Sequence, residues 1–209
     1  MSDRFDAERT TGVEAPAAVE TAKDEAERET RLPKADDEAR AQHAEGDFRL
    51  PDGYTVLEGS PHANRRGVAV VVSRFNGEIT SAMLEQALAA LEAAGVDPER
   101  VTVMPVPGAF ELPLAAMALG KTRRFSCIVA LGCVIRGETA HFDYVAGEAA
   151  SGLQLAAIET GVPVSFGLLT CETREQADAR IGRAVDAVTS ALEMADLFAT
   201  LRAQASSAG

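Results

Sequence analysis

The sequence lacks the features that mark a metal site or a membrane protein. Its three cysteines, Cys127, Cys133 and Cys171, do not have the spacing of metal ligands. Two of them fall in predicted buried strands, where free cysteine usually acts as a small apolar filler. No apolar run approaches the roughly 20 residues of a membrane span, and the amino terminus has no apolar signal core. We therefore expect a cytoplasmic protein in a reducing compartment, with no membrane partner.

Positive charge is also scarce in this chain. Twenty Lys and Arg residues stand against 32 Asp and Glu residues, which gives a formal net charge of -12. General nucleic-acid binders need a basic surface, so we expect no nucleic-acid partner. An anionic small substrate is still compatible with the composition, because it needs only a local positive pocket. The P-loop, the dinucleotide-binding fingerprint and the G-x-S-x-G motif are absent as well.

Residues 1–48 differ in composition from the rest of the chain. They are rich in Ala, Glu, Asp and Arg, nearly free of large apolar residues, and contain Pro16 and Pro33. Such a segment cannot bury enough apolar area to offset the entropy lost on ordering. We predict an acidic, disordered N-terminal extension over residues 1–48, which is either a plain solvated tail or a recruitment segment, and one folded domain over residues 49–209.

From Gly67 onwards, apolar segments of strand length alternate with amphipathic segments of helix length. The apolar segments are continuous, which is typical of parallel strands covered on both faces. A short strand is also predicted at Tyr54–Leu57. The pattern indicates an α/β fold, a flavodoxin-like doubly wound layer sandwich with a four-stranded parallel sheet and helices on both faces. The predicted strands cover residues 67–75, 101–106, 125–133 and 162–169, and the predicted helices cover residues 79–94, 110–119 and 143–160.

The last segment predicts a long C-terminal helix. From Thr173 to Ala203 there is no proline, Gly182 is the single glycine, and apolar residues recur at steps of three and four. One helix of about 30 residues would be roughly 45 Å long. Such a helix is unusual for a small domain, so we expect it to project, to kink at Gly182, or to pack against another subunit.

Polar residues cluster where each predicted strand gives way to a helix. These loops are Ser73–Asn76, Val106–Glu111 and Arg136–His141. Because parallel strands bring their carboxyl ends to one edge of a sheet, we expect the three loops to meet there, where open α/β sheets bind ligands.

Four side chains in these loops each allow two interpretations. Phe75 either stacks on a planar ring or packs in the core, and Glu111 either binds a polyol or complements a helix dipole. His141 is either a general acid or base or an ordinary surface or packed histidine. Thr139 either holds a phosphate or caps a helix. On these residues alone, the chain is a small-molecule enzyme or binding module with a phosphate-capable edge.

Four longer motifs carry a resemblance to a known family. From about Tyr54 to the carboxyl terminus, the chain resembles the lumazine synthases, which catalyse the penultimate step of riboflavin biosynthesis. The matching motifs, in order, are SRFN at residues 73–76, VPGAFELP at 106–113, GCVIRGETAHFDYV at 132–145 and VPVSFGLLTCETREQA at 162–177.

The resemblance implies a reaction and a set of site residues. The implied reaction condenses 5-amino-6-(D-ribitylamino)uracil with 3,4-dihydroxy-2-butanone 4-phosphate to give 6,7-dimethyl-8-ribityllumazine, with His141 as the catalytic residue and no cofactor. Ribitylaminouracil binding is implied for Phe75, Ala109, Phe110, Glu111, Cys133, Val134, Ile135 and Phe166. Phosphate binding is implied for Glu138, Thr139 and Arg180.

The resemblance also implies a homo-oligomer. Its members form pentamers with sites between neighbouring subunits, Phe166 reaching in from the adjacent chain, and many assemble into a 60-subunit icosahedral shell. This chain lacks the Gly/Lys-rich turn, with its phosphate-binding lysine, that usually follows the arginine matched by Arg180; it continues Ile181-Gly182-Arg183. The missing turn keeps open the alternative of a shell-forming structural homologue with weak or no catalysis. A flavin-binding module is a further alternative, because the implied product resembles a flavin.

Overall fold

The computed structural model describes residues 52–62 and 66–207, so the predicted extension over residues 1–48 lies outside the described residues. Short 3₁₀ turns lie at Pro98–Arg100 and Ala109–Glu111. No helix within the described ranges is long and apolar enough to span a membrane. The strands and helices are β1 Val68–Ser73, α1 Gly77–Ala93, β2 Val101–Val106, α2 Leu112–Lys121, β3 Cys127–Ile135, α3 His141–Thr160, β4 Val164–Cys171, α4 Arg174–Asp178 and α5 Arg183–Ser207.

The four strands form one parallel sheet in the order β2-β1-β3-β4. The apolar β1 lies between β2 and β3 and is buried along its whole length, as expected for a central strand covered on both faces. β2 is an edge strand with four exposed residues, and its Pro105 lies opposite Val72 of β1. The parallel four-stranded sheet confirms the predicted α/β architecture.

Helices cover both faces of this sheet. Because successive side chains of a strand point to opposite faces, β1 contributes Val68, Val70 and Val72 to one core and Ala69 and Val71 to the other. The first core is closed by α1, α4 and α5, and the second by α2 and α3. This arrangement confirms the doubly wound layer sandwich.

The continuous helix predicted from Thr173 to Ala203 is interrupted. α4 ends at Asp178 and α5 begins at Arg183, and the intervening turn contains Gly182. The N–H of Arg183 donates to the carbonyl of Arg180 at 2.9 Å. This i to i−3 bond is of the 3₁₀ type, and it forms the turn between the two helices. A single thirty-residue helix is therefore wrong, whereas the long C-terminal helix is confirmed by the 25 residues of α5.

The short strand predicted at Tyr54–Leu57 is also wrong, since these residues have no strand assignment and are exposed. The residues that follow pack against α5 instead of the sheet. The N–H of Ser60 donates to the carboxylate of Asp196 at 3.0 Å, and Arg66 pairs with the same carboxylate. A side chain at Gly59 would collide with the α5 backbone, so close packing on the helix requires a glycine there.

Candidate functional site

Hydrogen bonds between strand ends bring the polar loops together at the carboxyl edge of the sheet. The N–H of Arg74, just after β1, donates to the carbonyl of Val106 at the end of β2 at 2.8 Å. The N–H of Arg136, just after β3, donates to the carbonyl of Cys171 at the end of β4 at 2.9 Å. All four strand ends therefore lie at one edge, as the parallel topology requires.

Asn76 fixes the loop after β1. Its backbone is in the left-handed region at φ 57° and ψ 45°, which asparagine tolerates better than most residues. Its side-chain Nδ2 donates to the carbonyl of Cys133 at 2.9 Å, and its own carbonyl accepts the N–H of Ile79 in the first turn of α1. The preceding Phe75 is 69% exposed, so the core-packing interpretation of Phe75 is wrong.

A cavity of about 630 Å³ lies between the three loops, a volume within the usual range for small-molecule sites. Its rim includes two further exposed aromatic side chains, Phe110 at 58% and Tyr144 at 70%. Exposed rings around a concave, mainly apolar site suit a planar heterocycle. Nine predicted site residues line the cavity: Phe75, Ala109, Phe110, Glu111, Cys133, Val134, Ile135, Thr139 and His141.

The loop after β2 places a carboxylate in the cavity wall. The 3₁₀ turn Ala109–Glu111 leads directly into α2, so Glu111 lies at a helix start, where negative charge is favourable. A Cβ at Gly108 would come within 3.2 Å of the Glu111 Oε2 atom, and the glycine thus leaves room for this carboxylate. Glu111 both complements the helix and faces the cavity, so its two interpretations are compatible.

The loop after β3 places the amino end of α3 at the cavity. The Oγ1 atom of Thr139 accepts the N–H of His141 at 3.4 Å, and both side chains line the cavity. The N-cap of α3 is Ala140, without a side-chain cap hydrogen bond, so Thr139 is not the helix cap. His141, Tyr144 and Val145 are three and four residues apart and so share one face of α3. The partial positive charge of the helix start favours an anionic group here.

Three predicted site residues lie outside this cavity. Glu138 is exposed in the loop before α3 and is absent from the cavity wall. Phe166 projects from β4 into a separate cavity of about 330 Å³ that Arg183 also lines. Arg180 lies in the turn between α4 and α5, where its Nη1 donates to the carbonyl of Gln176 at 2.9 Å. One chain alone does not place these three side chains in the wall of this cavity.

Five residues of the cavity wall were not predicted as site residues: Gly108, Gly137, Phe142, Tyr144 and Val145. Helical periodicity was a usable signal for Tyr144 and Val145, because they lie one turn after His141 on the same face of α3. The two glycines offer no side-chain chemistry, but both lie in loops that were predicted to meet at this edge.

Arg136 joins the ends of three elements beside the cavity. Its Nη1 and Nη2 atoms donate to the two carboxylate oxygens of Asp143 in α3 at 3.1 and 2.8 Å, and its Nε donates to Glu172 after β4 at 3.0 Å. Its guanidinium lies 4.1 Å from the centroid of the Phe142 ring. The hydrogen bonds from Arg136 hold the pKa of the Asp143 carboxyl below its ordinary value.

The cysteine in the cavity wall is not a nucleophile at neutral pH. Burial raises the pKa of the Cys133 thiol to about 11, with a smaller contribution from Cys171, and burial raises that of Cys127 to about 12. A neutral thiol is a poor nucleophile and a poor metal ligand. Within residues 52–62 and 66–207, no group of three or more His, Cys, Asp and Glu side chains is placed to hold a metal ion.

Comparison with known proteins shows a family match and similar sequences for the part of the chain that forms this edge. Residues 66–199 match the sequence model of a family described as 6,7-dimethyl-8-ribityllumazine synthase. Similar proteins of that name occur in Yersinia pestis (strain Pestoides F) and Yersinia pseudotuberculosis serotype O:1b (strain IP 31758). Each is 44% identical over 153 residues, which cover 70% of this chain and 98% of the relative. The matched region contains every loop of the cavity.

Proposed function

Because this chain belongs to the 6,7-dimethyl-8-ribityllumazine synthase family, we propose that the cavity at the carboxyl edge of the sheet is its active site. The enzyme condenses 5-amino-6-(D-ribitylamino)uracil with 3,4-dihydroxy-2-butanone 4-phosphate to give 6,7-dimethyl-8-ribityllumazine, the penultimate step of riboflavin biosynthesis. The observation that carries the proposal is that nine residues matched to the family's site line one cavity.

The ribitylaminouracil fits the part of the cavity between β1 and β3. The exposed ring of Phe75 offers a stacking surface for the pyrimidinedione, and the Glu111 carboxylate accepts hydrogen bonds from ribityl hydroxyls. β3 continues beyond its last pair with β1, Leu131 opposite Val72. Beyond that pair, the carbonyl of Cys133 accepts the side chain of Asn76 at 2.9 Å, so residues 134–135 are the part of this backbone proposed to meet the edge of the heterocycle.

The chemistry requires positioning and proton transfer. The amine of the uracil attacks the ketone of the four-carbon substrate to form an imine, so the enzyme needs no lysine nucleophile. Phosphate elimination and ring closure then require protons to be removed and delivered. His141 lines the cavity and is the proposed general acid and base for these steps.

The phosphate is proposed to lie at the amino end of α3. Thr139 and the first N–H groups of α3 are the donors available from the same chain. We propose that the chain acts as a homo-oligomer, a pentamer in which Phe166 and Arg180 reach this site from the neighbouring subunit. The support is that both residues lie outside the cavity of their own chain.

The catalytic activity is tested directly by incubating the purified chain with both substrates and following the absorbance of the lumazine product. Product formation that requires both substrates is the expected result. An absence of product at high enzyme concentration, together with large particles in light scattering, would instead support the shell-forming structural homologue. Tight flavin binding without turnover would support the flavin-binding module.

If each active site is formed by two neighbouring subunits, two defective variants should recover activity when they assemble together. His141→Ala removes the proton shuttle, and Arg180→Ala should raise the KM for the phosphate substrate by about 10-fold or more, as expected for a lost charge-assisted bond. Co-expressed in equal amounts and assayed at limiting phosphate substrate, the two should recover about a quarter of the wild-type rate, because that fraction of random neighbour pairs combines intact residues. A rate equal to the mean of the two parents would place both residues in one chain's site.

Assembly size and domain boundaries complete the proposal. Sedimentation distinguishes a pentamer from the proposed higher assembly of 60 subunits.

The division into an extension over residues 1–48 and a catalytic domain over residues 49–209 is supported by the family match, which begins at residue 66. A cytoplasmic location is proposed because all three cysteines are buried and free, a state that reducing compartments preserve.

A further inference from the structure

We infer that Arg136 is a positioning residue, which fixes His141 and the loop before it without binding substrate. This inference rests on the proposed role of His141 in the active site. It assigns a function to the one arginine in the loop after β3, whose side chain is absent from the cavity wall.

Arg136 holds both ends of a short loop. Four residues, 137–140, separate it from His141. The backbone N–H of Arg136 anchors the start of the loop to Cys171 at 2.9 Å. Its guanidinium anchors the end of the loop through Asp143, two residues beyond His141, with bonds of 2.8 and 3.1 Å. The position of His141 relative to the sheet therefore depends on Arg136 at both ends.

The guanidinium is already occupied by protein groups. Its Nε donates to Glu172 and its two terminal nitrogens donate to Asp143, so two carboxylates more than neutralise its single positive charge. The Phe142 ring covers one face at 4.1 Å. A substrate phosphate would have to displace both carboxylates to reach this cation. Arg136 therefore links protein groups to one another and does not form an anion-binding site.

We expect the Arg136 contacts to orient His141 more than they stabilise the fold. The partners of Arg136 are partly exposed, and exposed ion pairs contribute little to stability. A two-point pair combined with ring stacking nevertheless defines the direction of a side chain, which a lysine cannot reproduce. Within the loop, the N–H of His141 donates to the Oγ1 atom of Thr139 over a long distance of 3.4 Å. Loss of the bonds from Arg136 to Asp143 should therefore displace His141 while the fold persists.

Arg136→Lys keeps the charge and removes the two-point geometry. We expect it to lower kcat by about 10-fold, the scale of a misplaced catalytic group, with the KM for the ribitylaminouracil within about twofold of wild type. The melting temperature should move by no more than about 4 °C. Arg174→Lys is the matched control, because Arg174 also pairs with two carboxylates, Glu78 at 2.8 Å and Asp178 at 3.1 Å, and does not line the cavity. The control should retain the wild-type kcat.

A second comparison separates positioning from substrate binding. In a His141→Ala background, Arg136→Lys should cause no further loss of kcat, because it acts through His141. An equal loss in both backgrounds, a rise in the KM for the phosphate substrate at constant kcat, or an unchanged kcat in the wild-type background would each overturn the inference. If Arg136→Lys does not fold, Asp143→Asn removes the same pair from the other side. A wild-type chain without activity would refute the proposed function instead.

Discussion

His141→Ala should lower kcat by about 10²- to 10⁴-fold, the usual contribution of a general acid or base. His141 begins α3 at the wall of the cavity, on the same helix face as Tyr144 and Val145. Alanine preserves the helix and removes the imidazole that is proposed to carry protons during imine formation and phosphate elimination. The KM values should change much less than kcat, because the residues proposed to stack on the uracil and bind the ribityl chain are untouched.

The matched control for this prediction is His62→Ala. His62 lies in the segment before β1 and is absent from the cavity wall, so its replacement should leave kcat unchanged. Single-turnover measurements of lumazine absorbance separate the chemical step from product release. If the single-turnover rate of His141→Ala equals that of wild type, His141 does not transfer protons in the rate-limiting chemistry.

Leu112→Ala should lower the free energy of unfolding by about 2 to 5 kcal/mol, the range measured for deleting a buried leucine side chain. Leu112 is 0% exposed at the start of α2 and belongs to the core beneath the cavity. Its Cδ1 atom would lie 3.1 Å from a Cβ at Gly132, so it packs directly against the strand that carries the catalytic loop. The truncation leaves a void that the surrounding sheet cannot fill by a small shift.

Leu114→Ala is the control in the same helix. It makes the same change in helix propensity, but the Leu114 side chain is 74% exposed. We expect a loss of less than about 1 kcal/mol, as for most surface substitutions. Urea unfolding of both variants at one protein concentration gives the comparison. Equal losses for the two variants would show that burial within a single chain does not determine the stability of this helix.

Much of the fold follows from local patterns. The continuous apolar segments predicted the four strands, because a parallel strand buried on both faces needs apolar residues at every position. The convergence of Phe75, Glu111 and His141 followed from topology, since a parallel sheet brings successive loops to one edge. Phe75 was ambiguous on spacing alone, because the hydrophobic pattern does not distinguish an exposed ring after a strand from a core ring.

The remaining features depend on contacts between distant parts of the chain. The break between α4 and α5 agrees with the kink considered at Gly182, but its extent was not predicted, because the apolar spacing continues through it and the turn arises from backbone bonds around Arg180. The residues at Tyr54–Leu57 are suitable for a strand. The chain that follows them is instead hydrogen-bonded to Asp196 of α5. Phe166 lies apart from the His141 cavity because it is the third residue of β4, opposite Ala130 of β3, and so is distant from the carboxyl edge of the sheet.

The proline of the edge strand bears on how this protein avoids misassembly. An exposed edge strand is a template on which other chains can add further strands and aggregate. Pro105 lies near the end of β2 and has no N–H to donate, so a continuous ladder cannot extend along that edge. The end of β2 is therefore a poor template for strand addition, which disfavours amyloid-like stacking of this chain at that end of the edge.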